Sequence, residues 1–144
     1  MFEFQKMIDG KSNPTIMDWP VAASQTITRG TLLALSSGLA AVAAAGSTTV
    51  LGVAQAPKTT GASVTDADTV PVLLARNAVF KVGYTGTTKT SVSSADNGTA
   101  FDINADAKSI NLDDTTGGMC KMFATFDNTA KTAHVVISDG AQVY

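Results

Sequence analysis

The chain holds one cysteine and one histidine, so the side chains that most often bind metals or act as nucleophile and base are nearly absent. A lone Cys120 excludes an intramolecular disulfide and any cysteine-based metal cluster. In a Cys-His or Ser-His arrangement, His134 would have to be the base. In an alternating strand, however, Ala133, Val135 and Ile137 share one face and His134 takes the other. Cys120 falls with Met122, Ala124 and Phe126, which reads as a core face. The expectation is a solvent-facing histidine and a buried cysteine that behaves as a small hydrophobe.

Charge is also scarce. Asp, Glu, Lys and Arg make up 15% of the chain, against roughly 25% in an average soluble protein. The 10 basic residues form no run and are outnumbered by 12 acidic ones. That leaves no electrostatic handle on a phosphate backbone, and nucleic acid is not expected as a partner. The longest apolar stretch, 31–45, is broken by Ser36-Ser37-Gly38 and is too short to cross a bilayer. A basic segment followed by an apolar run is not seen at the N-terminus. No membrane association is expected, and synthesis is expected in a reducing cytoplasm.

Aromatic residues are few, and much of the hydrophobic content is alanine. A thin core of Val, Leu, Ile and some Phe suits a small β-barrel or β-sandwich better than a thick helical bundle. Thr, Ser, Asn and Gly must cover the surface. From Gln25 onward the pattern is β. Thr26–Leu35 leads into a Ser-Ser-Gly turn and returns through Leu39–Val42, a hairpin pattern. A helix over 31–45 competes, because alanine is the best helix former, but Gly38 and the paired serines oppose it. Further β runs lie at Thr48–Ala54 and at Thr69–Ala75, where Pro71 needs a sheet edge or a strand start. Another, Ala78–Tyr84, places Ala78, Phe80, Val82 and Tyr84 on one side. Met119–Phe126 and Thr132–Ile137 flank a short polar loop as a second hairpin. Short strands at this spacing indicate an all-β barrel or sandwich.

Residues 1–21 differ from the rest. Phe2, Phe4, Ile8, Ile16, Met17 and Trp19 sit among turn residues, Gly10 to Pro14 and Pro20, at a spacing that fits neither a helix nor a strand. Such a strip reads as an extended N-terminal arm laid across another surface, with 22–144 as the barrel or sandwich domain. The alternative is a tail tucked onto its own barrel. Arg29 and Arg76 sit beside β runs, as interface anchors or as plain surface charges.

Two motifs with possible chemistry are weak. Asp102-Ile103-Asn104-Ala105-Asp106 has the opening of a calcium loop, with Asp113 at the twelfth position. The sixth position is Ala107 in place of glycine, and the last ligand is one carbon short. An exposed acidic turn is the expected reading. Gly117-Gly118 and Asn97-Gly98 lack a phosphate-loop pattern and read as turns. No catalytic, cofactor-binding or metal-binding residues are assigned, and an enzyme is not expected.

The run Ile27-Thr28-Arg29-Gly30-Thr31-Leu32-Leu33-Ala34-Leu35-Ser36-Ser37-Gly38, then Val50-Leu51-Gly52-Val53-Ala54, resembles the opening of tailed-bacteriophage capsid decoration (cement) proteins. The likeness covers residues 25–82 and encodes β geometry rather than chemistry. It implies a small β-barrel or sandwich on the exterior of a virion, bound to the major capsid protein lattice and stabilising the mature head. It also implies a homo-oligomer, a trimer in the family, that grips the capsid through N-terminal segments. On this reading the contacts fall on Phe2, Phe4, Ile8, Ile16, Met17 and Trp19, with Arg29 beside them. Alternatives are another virion structural protein (tail tube, head completion or fibre base) or a carbohydrate- or receptor-binding β module. The last needs an exposed aromatic platform, which only Tyr84, Tyr144 and Trp19 can supply.

Overall fold

In the computed structural model, which describes residues 1–144, the chain forms thirteen strands, eight of them within the β runs expected from the sequence. They are β1 (Glu3–Met7), β2 (Ile16–Pro20), β3 (Thr26–Ile27), β4 (Leu32–Ser36), β5 (Leu39–Val42), β6 (Val50–Ala54) and β7 (Lys58–Thr59). The remainder are β8 (Thr69–Leu74), β9 (Ala78–Thr85), β10 (Ala100–Ile103), β11 (Ser109–Asn111), β12 (Cys120–Asp127) and β13 (Thr132–Ile137). The only helical pieces are two single 3-10 turns, at Ser94–Asp96 and Asp139–Ala141. The fold is all-β.

Five strands close into a barrel in the order β9-β11-β10-β12-β13, because β13 pairs back onto β9. The β9–β11 pair is parallel and the others are antiparallel. Alternation on β9 sends Phe80, Val82 and Tyr84 inward, as the sequence predicts. They meet Phe101, Ile110, Met122 and Val135 from the other strands. The β12–β13 hairpin forms with one irregularity. Between the Met122↔Val135 and Phe126↔Ala133 pairs, three residues of β12 oppose His134 alone. Ala124 lies in this bulge at φ 61 and donates its N–H to Asn97 Oδ1 at 3.0 Å. The bulge breaks the expected alternation. Cys120 and Met122 are buried, but Ala124 is exposed.

A second antiparallel sheet has the order β2-β8-β6-β4-β5. It curls until its ends meet: Val21, just past β2, bridges Ala40 of β5, and Ala22 donates its N–H to the Ala40 carbonyl at 2.9 Å. The enclosed space is filled by Val21, Leu33, Leu51, Val70 and Val72, with Ile27 of the small β3–β7 pair among them. The outer face, with Leu32, Val50, Val53 and Leu73, joins the core of the first barrel. All five residues of β6 are therefore buried. The β4–β5 connection is a two-residue turn at Ser37 (φ 51) and Gly38 (φ 84). Two positive φ values match the right-handed twist of a hairpin, and the competing helix is absent. At Gly52 an added Cβ would fall 2.0 Å from the Leu73 carbonyl oxygen. The missing side chain is what lets β6 and β8 approach.

Two expectations are corrected. β8 is flanked by β2 and β6, so Pro71 is not on a sheet edge. It is the third residue of β8, beyond the last paired residue of β6. There its carbonyl accepts from Gln55, and no ladder N–H is required of it. Residues 1–21 do not project as an arm. β1 runs along β9, opposite Ala78–Lys81, and β2 runs along the whole of β8. Phe2 is buried with its ring edge-on to Phe80, centroids 6.2 Å apart, and its N–H bonds the Gly30 carbonyl. The tucked tail describes this segment. The misfit of its spacing has a local cause, since a register shift between Phe4 and Lys6 breaks the alternation of β1.

Deletion of residues 1–21 removes two strands together with buried Phe2 and Val21. It should abolish the cooperative thermal transition, read by circular dichroism, rather than leave a folded barrel. Gly52→Ala should lower stability by about 3 kcal/mol or more through the forced clash with β8, measured by urea unfolding.

Candidate interface surface

The seven residues expected at an interface divide into two groups. Phe2 and Phe4 point toward the first barrel, Phe2 buried and Phe4 partly so. Ile8, Ile16, Met17 and Arg29 are exposed, and Trp19 is half-buried. Five large hydrophobic side chains stand out in solvent, namely Met1, Ile8, Ile16, Met17 and Tyr144. Four of these fall in the first 17 residues, so the exposed apolar surface is concentrated on this segment. Ile16 and Met17 are held by pairing with β8, and Ile8 by the bond from its N–H to the Asn77 carbonyl.

A cleft of about 540 Å³ separates β1 from β2, with Met1, Phe4, Pro14, Ile16 and Leu73 among its walls and Arg29 at its side. The fold thus brings together Phe2, Phe4, Ile16 and Arg29. Gly30 (φ 79) makes the closure at one end possible. A Cβ there would meet Met1 Cβ at 2.7 Å. Met17 follows Ile16 and points to the opposite face of β2, while Ile8 lies past the end of β1, its N–H bonded to the Asn77 carbonyl. Trp19 packs against its own molecule. Its indole N–H donates to the Gly38 carbonyl at 3.0 Å, and its ring meets that of Tyr144 at 5.3 Å. Met1 was not among the expected interface residues, and Tyr144 was expected only as part of an aromatic platform. Isolated residues at the two ends of the chain carry no periodic signal.

Cys120 and His134 take opposite sides of the barrel wall. Cys120 is fully buried, and burial pushes its thiol well above the ordinary range, reinforced by the Asp102 carboxylate. A thiol so held stays protonated at neutral pH. His134 is half-buried on the outer face rather than fully solvent-facing. Partial burial, then the nearby Lys6 and Lys81 ammonium groups, hold its imidazole below the ordinary value.

The acidic stretch 102–113 forms the β10–β11 hairpin and the turn after it, and its carboxylates turn to separate partners. Asp102 is buried and accepts from the N–H groups of Gly46 and Ile103. Asp106 accepts from Lys108 N–H within its own turn, where Ala107 has φ 52. Asp113 accepts from the consecutive N–H groups of Thr87, Thr88 and Lys89. No group of three or more acidic, histidine or cysteine side chains converges as a metal site would require. The chain matches no protein-family model and no curated protein sequence.

Hydrogen bonds from Lys89, Thr87 and Thr88 hold the Asp113 carboxyl below the ordinary value of 3.8. A lowered folded-state value contributes stability that is complete above 3.8 and lost as pH falls through the folded-state value. Asp113→Asn should therefore lower the melting temperature at pH 7, and the difference from the parent protein should shrink toward pH 2 in a calorimetric series.

Proposed function

We propose that this protein is a non-enzymatic capsid decoration (cement) protein of a tailed bacteriophage. It binds the outer surface of the major capsid protein lattice and stabilises the mature head. The observation that carries this reading is the concentration of exposed apolar side chains on residues 1–17, of which Ile16 and Met17 are held by pairing with β8. Met1 and Ile16 stand together on the β1–β2 cleft, and adjoining exposed apolar side chains mark an interaction surface. A surface that is ordered before binding loses little conformational entropy when it docks. The Arg29 guanidinium, exposed beside the β1–β2 cleft, adds a planar donor for a carboxylate on the partner.

The mechanism is additive. Each copy, in trimers as the family resemblance implies, binds the expanded lattice and not its precursor or its disassembled subunits. Binding then shifts the equilibrium toward the intact head by mass action. Repetition across the lattice multiplies a modest contact into a large gain in particle stability. No step of this process requires a cofactor, a metal ion, nucleic acid or a membrane.

The test is cosedimentation of the purified protein with undecorated, expanded phage capsids, paired with thermal challenge of the particles. Saturable binding and a raised disruption temperature are expected. The double variant Ile16→Asp, Met17→Asp should keep the parent melting temperature, since both side chains are exposed. Its capsid affinity should fall about 30-fold, the equivalent of roughly 2 kcal/mol for a central contact. Absence of capsid binding, with rings or tubes of the protein alone, would replace the cement role with that of a tail component.

A further inference from the structure

The C-terminal segment closes a second recess, away from the β1–β2 cleft. After the 3-10 turn at Asp139–Ala141, Gln142 bridges Val50 and Val143 donates its N–H to the Val50 carbonyl. This places Tyr144 against Trp19. The recess, about 340 Å³, is lined by Arg76, Asn77, Asp139, Gln142, Val143 and Tyr144. Its volume falls within the range of small-molecule sites. The positions converge from three parts of the sequence, the β8–β9 turn, the C-terminal segment and, behind Tyr144, β2.

The two charged side chains of this recess have no ionic partner. The three ion pairs of the molecule are Lys11–Asp9, Lys58–Asp68 and Lys89–Asp96, so Arg76 and Asp139 line one recess without pairing with each other or with another charge. Asn77 is fixed by a left-handed backbone (φ 58) and by the bond from its Nδ2 to Asp9 Oδ2 at 3.2 Å. Gln142 is fixed through its Nε2, which donates to the Ile137 carbonyl, and its amide oxygen remains an acceptor. One side chain beyond the polar groups, Tyr144, is about half exposed and backed by the Trp19 ring at a tilt of 48°.

Each feature restricts the ligand. A simple anion would meet the Asp139 carboxylate, and a simple cation the Arg76 guanidinium. A ligand bearing several neutral groups that both donate and accept satisfies both at once. Vicinal hydroxyls do this, donating to Asp139 and the Gln142 oxygen while accepting from Arg76. The flat face of Tyr144 suits the C–H face of a sugar ring, because an aromatic face carries partial negative charge and polarised C–H groups carry partial positive charge. Braced amides beside a supported aromatic ring also reduce the ordering cost of binding.

We propose that this recess is a saccharide-binding site that takes one or two pyranose units of an uncharged glycan. Arg76 and Asp139 bridge ring hydroxyls, and Tyr144, backed by Trp19, stacks on the sugar. The site does not depend on the capsid reading, because none of its lining residues belongs to the exposed apolar surface of residues 1–17.

The experiment screens soluble hexose, N-acetylhexosamine and deoxyhexose oligosaccharides against the full chain by ligand-observed NMR. The best-bound oligosaccharide and glycylglycine, a zwitterion control, are then titrated into the full chain by ligand-observed NMR. Emission from Trp19, the one tryptophan, is followed in parallel. Saturable binding of a neutral oligosaccharide with a dissociation constant of about 1–10 mM or tighter, a weak affinity, is expected, with a change in Trp19 emission. Tyr144→Ala and Arg76→Ala should each weaken it at least about tenfold by NMR while preserving the thermal transition, since both side chains are exposed. Three results would each overturn the assignment: a screen without saturable binding, binding of glycylglycine alone, or affinity unchanged in both variants. A variant that loses its thermal transition is replaced by Asp139→Asn, for which the same tenfold loss is required.

Discussion

β9 is hydrogen-bonded along both edges, with β13 on one side and β1 and β11 end to end on the other. Because β13 and β11 belong to the same sheet, pairing both to β9 closes the barrel. An open edge in a chain with so few charges would be a template for aggregation, since charged side chains are a common means of protecting edges. Closure removes most of that edge, and β1 extends the protection along the half of β9 that β11 does not reach. Phe80, the third residue of β9, is packed by the barrel interior and edge-on by Phe2. The position of the N-terminal segment is thus a consequence of how β9 is satisfied.

The second sheet depends on the first. Its five strands enclose only eight buried side chains, too few for an independent domain of any stability, but its outer face is covered by the barrel core. Burial on both faces accounts for the uninterrupted apolar run of β6 and for the glycine at 52. It also accounts for the β1–β2 cleft, which lies where the chain crosses from one unit to the other. The exposed Met1 and Ile16 side chains line this cleft, where β1 and β2 are the outer strands of their sheets. Each has one edge turned away from its partner strand.

The acidic residues serve mainly as organisers of loops. Eight of the twelve, Asp9, Asp68, Asp96, Asp102, Asp106, Asp113, Asp114 and Asp127, accept hydrogen bonds from backbone N–H groups. Short strands joined by polar loops leave many N–H groups outside any ladder, and a carboxylate can accept several at once. The calcium-like spacing at 102–113 has this origin. Asp102 braces the loop at Gly46, and Asp113 that at Thr87–Lys89, so the carboxylates diverge although the sequence spaces them as ligands. Tyr84 and Asn128 anchor the long 86–98 loop in the same manner, through Val92.

Much of the strand pattern was legible along the chain. The alternation of Phe80, Val82 and Tyr84, the turn at Ser37-Gly38, the β12–β13 hairpin and the burial of Cys120 all follow from local side-chain order. A period of two tells which face a residue takes, and turn residues tell where the chain reverses. The same period says nothing of which strand lies alongside. Pairing is non-local, and every edge offers the same backbone groups. Hence the tertiary structure alone decided that β8 is internal despite Pro71, that residues 1–21 lie along both sheets, and that β12 bulges at Ala124. It alone brought Phe4, Ile16 and Arg29 to one cleft, and Arg76, Asp139 and Tyr144 to one recess. Composition and alternation determined that this chain forms sheets with thin cores. Which residues meet depended on the closure of those sheets, since only closure fixes the distance between positions remote in sequence.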